Sequence, residues 1–209
     1  MIAEEPIPVD VGAGVILDGR LAVPSAARAG VVVCHPHPLY GGDMDSGVVV
    51  AAVEAAARRN LATLRFNFRG VGASTGQHDE GRGEQEDVGA ALAEMRRRLP
   101  AGAAVGLAGY SFGAVVATSV ARKTAVAGLA LIAPPLRLTS LPSPAAVSGP
   151  VVVIVGAEDQ YCPPAALVDL REAMPQATVS VLEGADHFFF GSLDALAEVL
   201  DGWAAAIGG

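Results

Sequence analysis

Short runs of β-branched and other apolar residues recur along the chain, separated by longer stretches whose apolar positions step by three and four. A short, wholly apolar run suits a strand buried on both faces, as in a parallel sheet. The clearest runs are residues 31–34, 63–67, 105–109, 129–133, 151–156 and 178–182, and a further strand or hairpin is expected within residues 9–23. Between them, Val88, Leu92, Met95 and Leu99 make one helix face. Glu84, Glu86 and Asp87 stand near its start, Arg96, Arg97 and Arg98 in its last turn, and Pro100 ends it. That charge order complements the helix dipole, so the arginine run reads as a helix end and not as a binding patch. Leu193, Leu196, Leu200, Trp203 and Ile207 form the apolar face of a C-terminal helix, which makes Trp203 a core residue. Strands alternating with helices predict an α/β protein, with a mostly parallel sheet covered on both faces.

With 209 residues, the chain is expected to form a single domain over 1–209. Its net charge of −8 repels phosphate backbones and anionic lipid, so no nucleic-acid and no membrane partner is expected. Acidic Glu4 and Glu5 stand where a secretory signal carries basic residues, and no apolar run approaches the roughly 20 residues of a membrane span. A cytoplasmic protein is expected. Cys34 and Cys162 lack a CxxC spacing and read as free thiols.

Gly109-Tyr110-Ser111-Phe112-Gly113 fits G-x-S-x-G, a pattern that means little without its context. Here it follows an apolar strand and opens a helical stretch over residues 114–123. A strand running straight into a helix must bend sharply, and the two glycines leave room for a strained backbone at Ser111. The serine hydroxyl is then exposed above the sheet beside a helix N-terminus, where negative charge is favoured.

Serine needs a base to act as nucleophile, and the base needs a carboxylate to hold its tautomer. Of His35, His37, His78 and His187, only His187 lies downstream of Ser111, in the loop after the strand at 178–182. Strand-turn-helix hydrolases carry these groups in the order Ser, acid, His. The acid is expected to be Asp159, in the loop after the strand at 151–156. Its rivals are Glu158 next to it, Asp169 within a helix, and Asp186, which is too near the base in sequence to fold back onto the ring easily. His35 and His37, with Asp43 and Asp45, suggest a metal site, but no HExxH or comparable ligand spacing supports it and none is expected. Gly70, Gly72 and Gly76 read as a turn, since neither GKS/T nor a following dinucleotide acid accompanies them. Arg69 reads as a buried, paired structural arginine.

Taken together, five stretches resemble the small lidless bacterial α/β-hydrolases of the dienelactone-hydrolase-like superfamily. They are Cys34-His-Pro-His-Pro-Leu-Tyr-Gly-Gly42, Arg65-Phe-Asn-Phe-Arg-Gly-Val-Gly-Ala-Ser-Thr-Gly76, Gly81-Arg-Gly-Glu84, Ala133-Pro-Pro135 and Ala185-Asp-His-Phe-Phe189, in addition to the elbow. The resemblance spans nearly the whole chain. It implies an α/β-hydrolase fold and a cofactor-free serine hydrolase acting on carboxylic esters or related acyl compounds. Dienelactone hydrolases proper use cysteine, so Ser111 sets this chain apart from them.

In that fold the backbone N–H after the nucleophile, here Phe112, is one oxyanion donor, and the loop after the strand at 31–34 gives the second. Pro36 and Pro38 have no N–H, which leaves His35, His37, Leu39 or Tyr40. Similarity to the His-Gly-x loop of related hydrolases implies His37. Only about 16 residues separate Pro134 from Pro150, too few for the helical cap that many relatives insert. An open site is expected, bounded by Tyr40, Phe112 and Tyr161 and taking a small-molecule acyl ester or thioester. The competing expectation is a non-catalytic relative that uses the same pocket only to bind a ligand or partner.

Overall fold

The computed structural model describes residues 3–208. Its eight strands are β1 (Glu5–Gly12), β2 (Val15–Ala22), β3 (Ala29–Cys34), β4 (Ala62–Phe66), β5 (Ala104–Tyr110), β6 (Leu129–Ile132), β7 (Val151–Gly156) and β8 (Ala177–Leu182). They lie in one sheet in the order β1-β2-β4-β3-β5-β6-β7-β8. From β4 to β8 every pairing is parallel, whereas β2 runs antiparallel to both β1 and β4. The expected N-terminal element is thus a hairpin that starts earlier than residue 9. Its tight connection uses Gly12, Ala13 and Gly14, all at positive φ.

Helices α1 (Gly47–Arg58), α2 (Arg82–Arg98), α3 (Phe112–Val120), α4 (Pro164–Ala173) and α5 (Leu193–Gly208) cover the sheet. The two-residue period of a strand sorts the core into two layers. Val31 and Val33 of β3 pack with Val49 and Ala52 of α1 and with Leu196, Leu200 and Trp203 of α5. Val32 and Cys34 face the other way, toward Val88, Leu92 and Met95 of α2 and Ala117 of α3. Gly106 lies under α5, where a Cβ would come within 2.5 Å of Ile207, so glycine lets that helix approach closely. Trp203 is core, as expected, and its indole N–H donates to the Pro150 carbonyl at 3.2 Å. Leu193 departs from the expected face: as the first residue of α5 it is partly exposed, while Leu196, Leu200, Trp203 and Ile207 are buried.

Between β6 and β7, residues 133–150 form turns and no helix, so the cleft at the C-terminal edge of the sheet carries no cap. Among the described residues no helix is long and apolar enough to cross a membrane.

Candidate active site

Strand β5 ends at Tyr110 and α3 begins at Phe112, leaving Ser111 alone to make the bend. It does so at φ 54° and ψ −115°, a conformation that costs a non-glycine residue about 1–3 kcal/mol. The backbone around it explains how this is held. A Cβ at Gly109 would lie 2.3 Å from the Gly113 carbonyl oxygen, and one at Gly113 would lie 2.6 Å from those of Cys34 and His35. Both glycines are therefore required for close packing of the bend, and the positive φ belongs to Ser111 itself. The Ser111 N–H donates to the Ile132 carbonyl at 2.8 Å, tying the elbow to the neighbouring strand.

Because β7 and β8 are adjacent and parallel, their following loops emerge side by side. Ala157 and Glu158 donate to the carbonyls of Leu182 and Ala185 at 2.9 and 3.0 Å, which sews the two loops together. Gly156 permits it, since a Cβ there would lie 2.1 Å from the Ala185 carbonyl oxygen. The result is a continuous chain of hydrogen bonds. His187 Nδ1 is 2.8 Å from Asp159 Oδ2, and His187 Nε2 is 3.1 Å from Ser111 Oγ. A proton on Nδ1, donated to Asp159, leaves Nε2 free to accept from the serine. Asp159 is buried, and its other oxygen accepts from the N–H groups of Tyr161 and Cys162 at 2.7 and 3.2 Å. The backbone of His187 is held as well: the Tyr110 hydroxyl donates to the His187 carbonyl at 3.1 Å.

The rival acids point elsewhere. Glu158 is exposed, and Asp169 lies on the outer face of α4. Asp186 accepts from Phe188 N–H and Phe190 N–H at 2.9 and 3.2 Å, so its carboxylate shapes the loop that carries His187.

The His-Pro segment after β3 has a different job for each histidine. His35 is fully buried; Nδ1 faces the Pro36 carbonyl at 2.6 Å and Nε2 accepts from Phe68 N–H at 2.9 Å. With both ring nitrogens engaged, it staples the loop after β3 to the loop after β4 and offers no lone pair to a metal. Burial lowers its pKa from 6.5 to about 4, against weaker opposing effects from Pro36 and Asp43. The unfolded chain therefore takes up this proton first. The staple contributes fully above pH 6.5 and is lost as pH falls through 4, a swing on the order of 3 kcal/mol. Thermal melts between pH 7 and pH 4 should show that loss, with a flatter slope in His35→Asn.

His37 caps the short 3-10 turn Pro38–Tyr40: its Nδ1 accepts from Leu39 N–H at 3.2 Å and its carbonyl accepts from Tyr40 N–H at 3.1 Å. Leu39 and Tyr40 have thus already spent their donors. The His37 N–H has no protein acceptor among the described residues. Phe112 N–H stands at the first position of α3, where helical N–H groups have no partner within the helix. Arg69 is the structural arginine expected: Nε and Nη2 both donate to buried Asp87, at 3.0 and 2.8 Å.

Ser111, His187, His37, Phe112, Tyr40 and Tyr161 come together around one cleft of about 880 Å³. Asp159 sits beneath, behind His187. Tyr40 is 86% exposed and stands at the mouth, whereas the Tyr161 ring lies 4.7 Å from the imidazole and forms a wall. Sequence reasoning did not find the parts played by Tyr110 and Gly156, or the wall residues Leu138 and Phe188. A tyrosine in the variable position of G-x-S-x-G directly before the serine was the one available signal.

Comparison with known proteins agrees with this architecture. Residues 28–195 match the alpha/beta hydrolase domain family. An uncharacterised protein of Rickettsia prowazekii (strain Madrid E) is 32% identical over 186 residues, 83% of this chain and 77% of that protein. The structure of an alpha-beta serine hydrolase homologue from Coxiella burnetii aligns with a TM-score of 0.86 at 33% identity, covering 96% of this chain and 97% of that one. A Xanthomonas campestris protein, a member of the a/b serine hydrolases without lid, aligns with a TM-score of 0.84 at 32% identity, covering 96% and 93%. With its matching residues, its strand order and its uncapped cleft, the chain belongs to the α/β-hydrolase family, as a small hydrolase without a lid.

Proposed function

We propose that this protein hydrolyses carboxylic esters of small molecules through an acyl-enzyme, with Ser111 as nucleophile, His187 as general base and Asp159 orienting the imidazole. The observation that carries this reading is the unbroken contact from Asp159 Oδ2 through the His187 ring to Ser111 Oγ, ending in the cleft. Ser111 Oγ attacks the ester carbonyl carbon while its proton passes to His187 Nε2. Collapse of the tetrahedral intermediate expels the alcohol, which takes that proton from the imidazolium. Water then repeats the sequence on the acyl-serine, releasing the acid and restoring Ser111. Thioesters can follow the same path, and no cofactor enters it. Labelling with a fluorophosphonate, followed by a panel of esters, thioesters and amides, tests the reading. Unlabelled, inactive protein would favour a binding role for the cleft.

In this reading the N–H groups of Phe112 and His37 receive the oxyanion, and Tyr40 and Tyr161 flank the substrate. His37 has φ −61°, which proline adopts without strain, so His37→Pro removes the donor with little change to the backbone. It should lower kcat by about 10²–10³-fold, the usual loss for one missing donor. His37→Ala keeps the N–H and loses the ring's bond to the Leu39 N–H and its packing against the rings of Tyr40, His78 and Phe112, none of which rings is an oxyanion donor, so it should retain most of kcat. Melting temperatures of both variants check the fold. An equal fall in both would assign the effect to the imidazole and not to the backbone.

A further inference from the structure

The cleft above Ser111 carries charge of only one sign. Phe112, Val115, Pro135, Leu138 and Phe188 make its apolar wall. Its carboxylates are Asp43 and Asp45, and among the described residues no lysine or arginine lines it. His37 does not supply the missing positive charge, since burial first and neighbouring His78 second lower its pKa below the ordinary histidine value. Arg65 lies behind Asp45 and pairs with it, but the same guanidinium also binds Glu4 at 2.9 and 2.6 Å. One cation therefore serves two carboxylates. Asp43 accepts the Asp45 N–H at 2.9 Å, and among the described residues no cation lies within ion-pair distance of it. The exposed Arg137, next to Leu138 in sequence, does not contribute to the lining.

Resting on the ester-hydrolase reading above, we propose that this cleft selects esters with an uncharged, apolar acyl group and turns away acyl groups that end in a carboxylate. A substrate anion would lose hydration against the apolar wall and meet like charge at Asp43 and at Asp45, which Arg65 offsets only while shared with Glu4, and no cation lining the cleft among the described residues would pair with it. A terminal methyl of the same length would gain from burial.

p-Nitrophenyl hexanoate and mono-p-nitrophenyl adipate test this, because they differ only by methyl against carboxylate at the chain end. The proposal expects kcat/KM at least about tenfold higher for hexanoate. Asp43→Asn keeps the acceptor oxygen for Asp45 N–H and removes the charge, and it should narrow the ratio by about threefold or more. Raising the salt to 0.5 M, where the screening length is roughly 4 Å, should narrow the wild-type ratio too. Equal rates for the two esters, or a ratio moved by neither Asp43→Asn nor salt, would overturn charge selection while leaving the ester reading intact. Cleavage of neither ester would remove the ester reading itself, and this proposal with it.

Discussion

Ser111→Ala is expected to lower kcat for ester hydrolysis on the order of 10⁶-fold and to abolish fluorophosphonate labelling. The size follows from the mechanism: without Oγ there is no covalent intermediate, and His187 has no bound nucleophile to activate. Any remaining rate would come from binding and oxyanion donors alone. The substitution leaves the fold untouched, because alanine inherits the same backbone at φ 54° and the packing of Gly109 and Gly113 does not involve the hydroxyl. An unchanged melting temperature beside lost activity is the expected pair of results. A variant that still turned over esters near the wild-type rate would move the nucleophile elsewhere.

The second large effect is at the acid. Asp159→Asn should lower kcat by about 10⁴-fold. An amide at this position can present its NH₂ to His187 Nδ1, which would force the ring proton onto Nε2, the atom that has to accept from Ser111. Asp186→Asn is the control, and the geometry makes it a mild one. Its Oδ1 accepts two backbone N–H groups, a role an asparagine carbonyl can keep, so the loop should hold and kcat should change by less than about tenfold. The comparison is read as kcat at saturating ester. An inverted order of the two variants would give the orienting role to Asp186.

Why the sequence revealed some of this and concealed the rest has physical causes. The central strands were legible because burial on both faces leaves a nearly continuous apolar run, as in Val151–Gly156, where every residue is buried. The N-terminal hairpin was harder to bound: Glu5–Gly12 alternates exposed and buried residues at the sheet edge and includes Pro6 and Pro8. At the site, Ser111 and His187 stood out because motif and chain order restrict them, while Asp159 had to be chosen among neighbours. What separates it from Glu158 and Asp186 is the direction of a side chain, fixed by contacts between loops that lie 28 residues apart at the Asp159–His187 bond. Tyr110 and Gly156 were missed for the same reason. Each acts through one long-range contact, a hydroxyl on a carbonyl and a missing Cβ against a backbone, and neither leaves a pattern in local sequence. The wall at Leu138 and Phe188 is likewise assembled from loops, whose exposed apolar residues look incidental until the cleft brings them together.

The central claim is a covalent acyl-serine at Ser111, and rapid-quench mass spectrometry during turnover of p-nitrophenyl hexanoate tests it most directly. The account predicts a burst of p-nitrophenol close to one equivalent per protein when deacylation is slowed at low temperature. In the same samples a hexanoyl group should be found on the peptide containing Ser111 and be absent from Ser111→Ala. Steady turnover with no acyl-peptide at any quench time, or a hexanoyl group mapped to another residue, would contradict it.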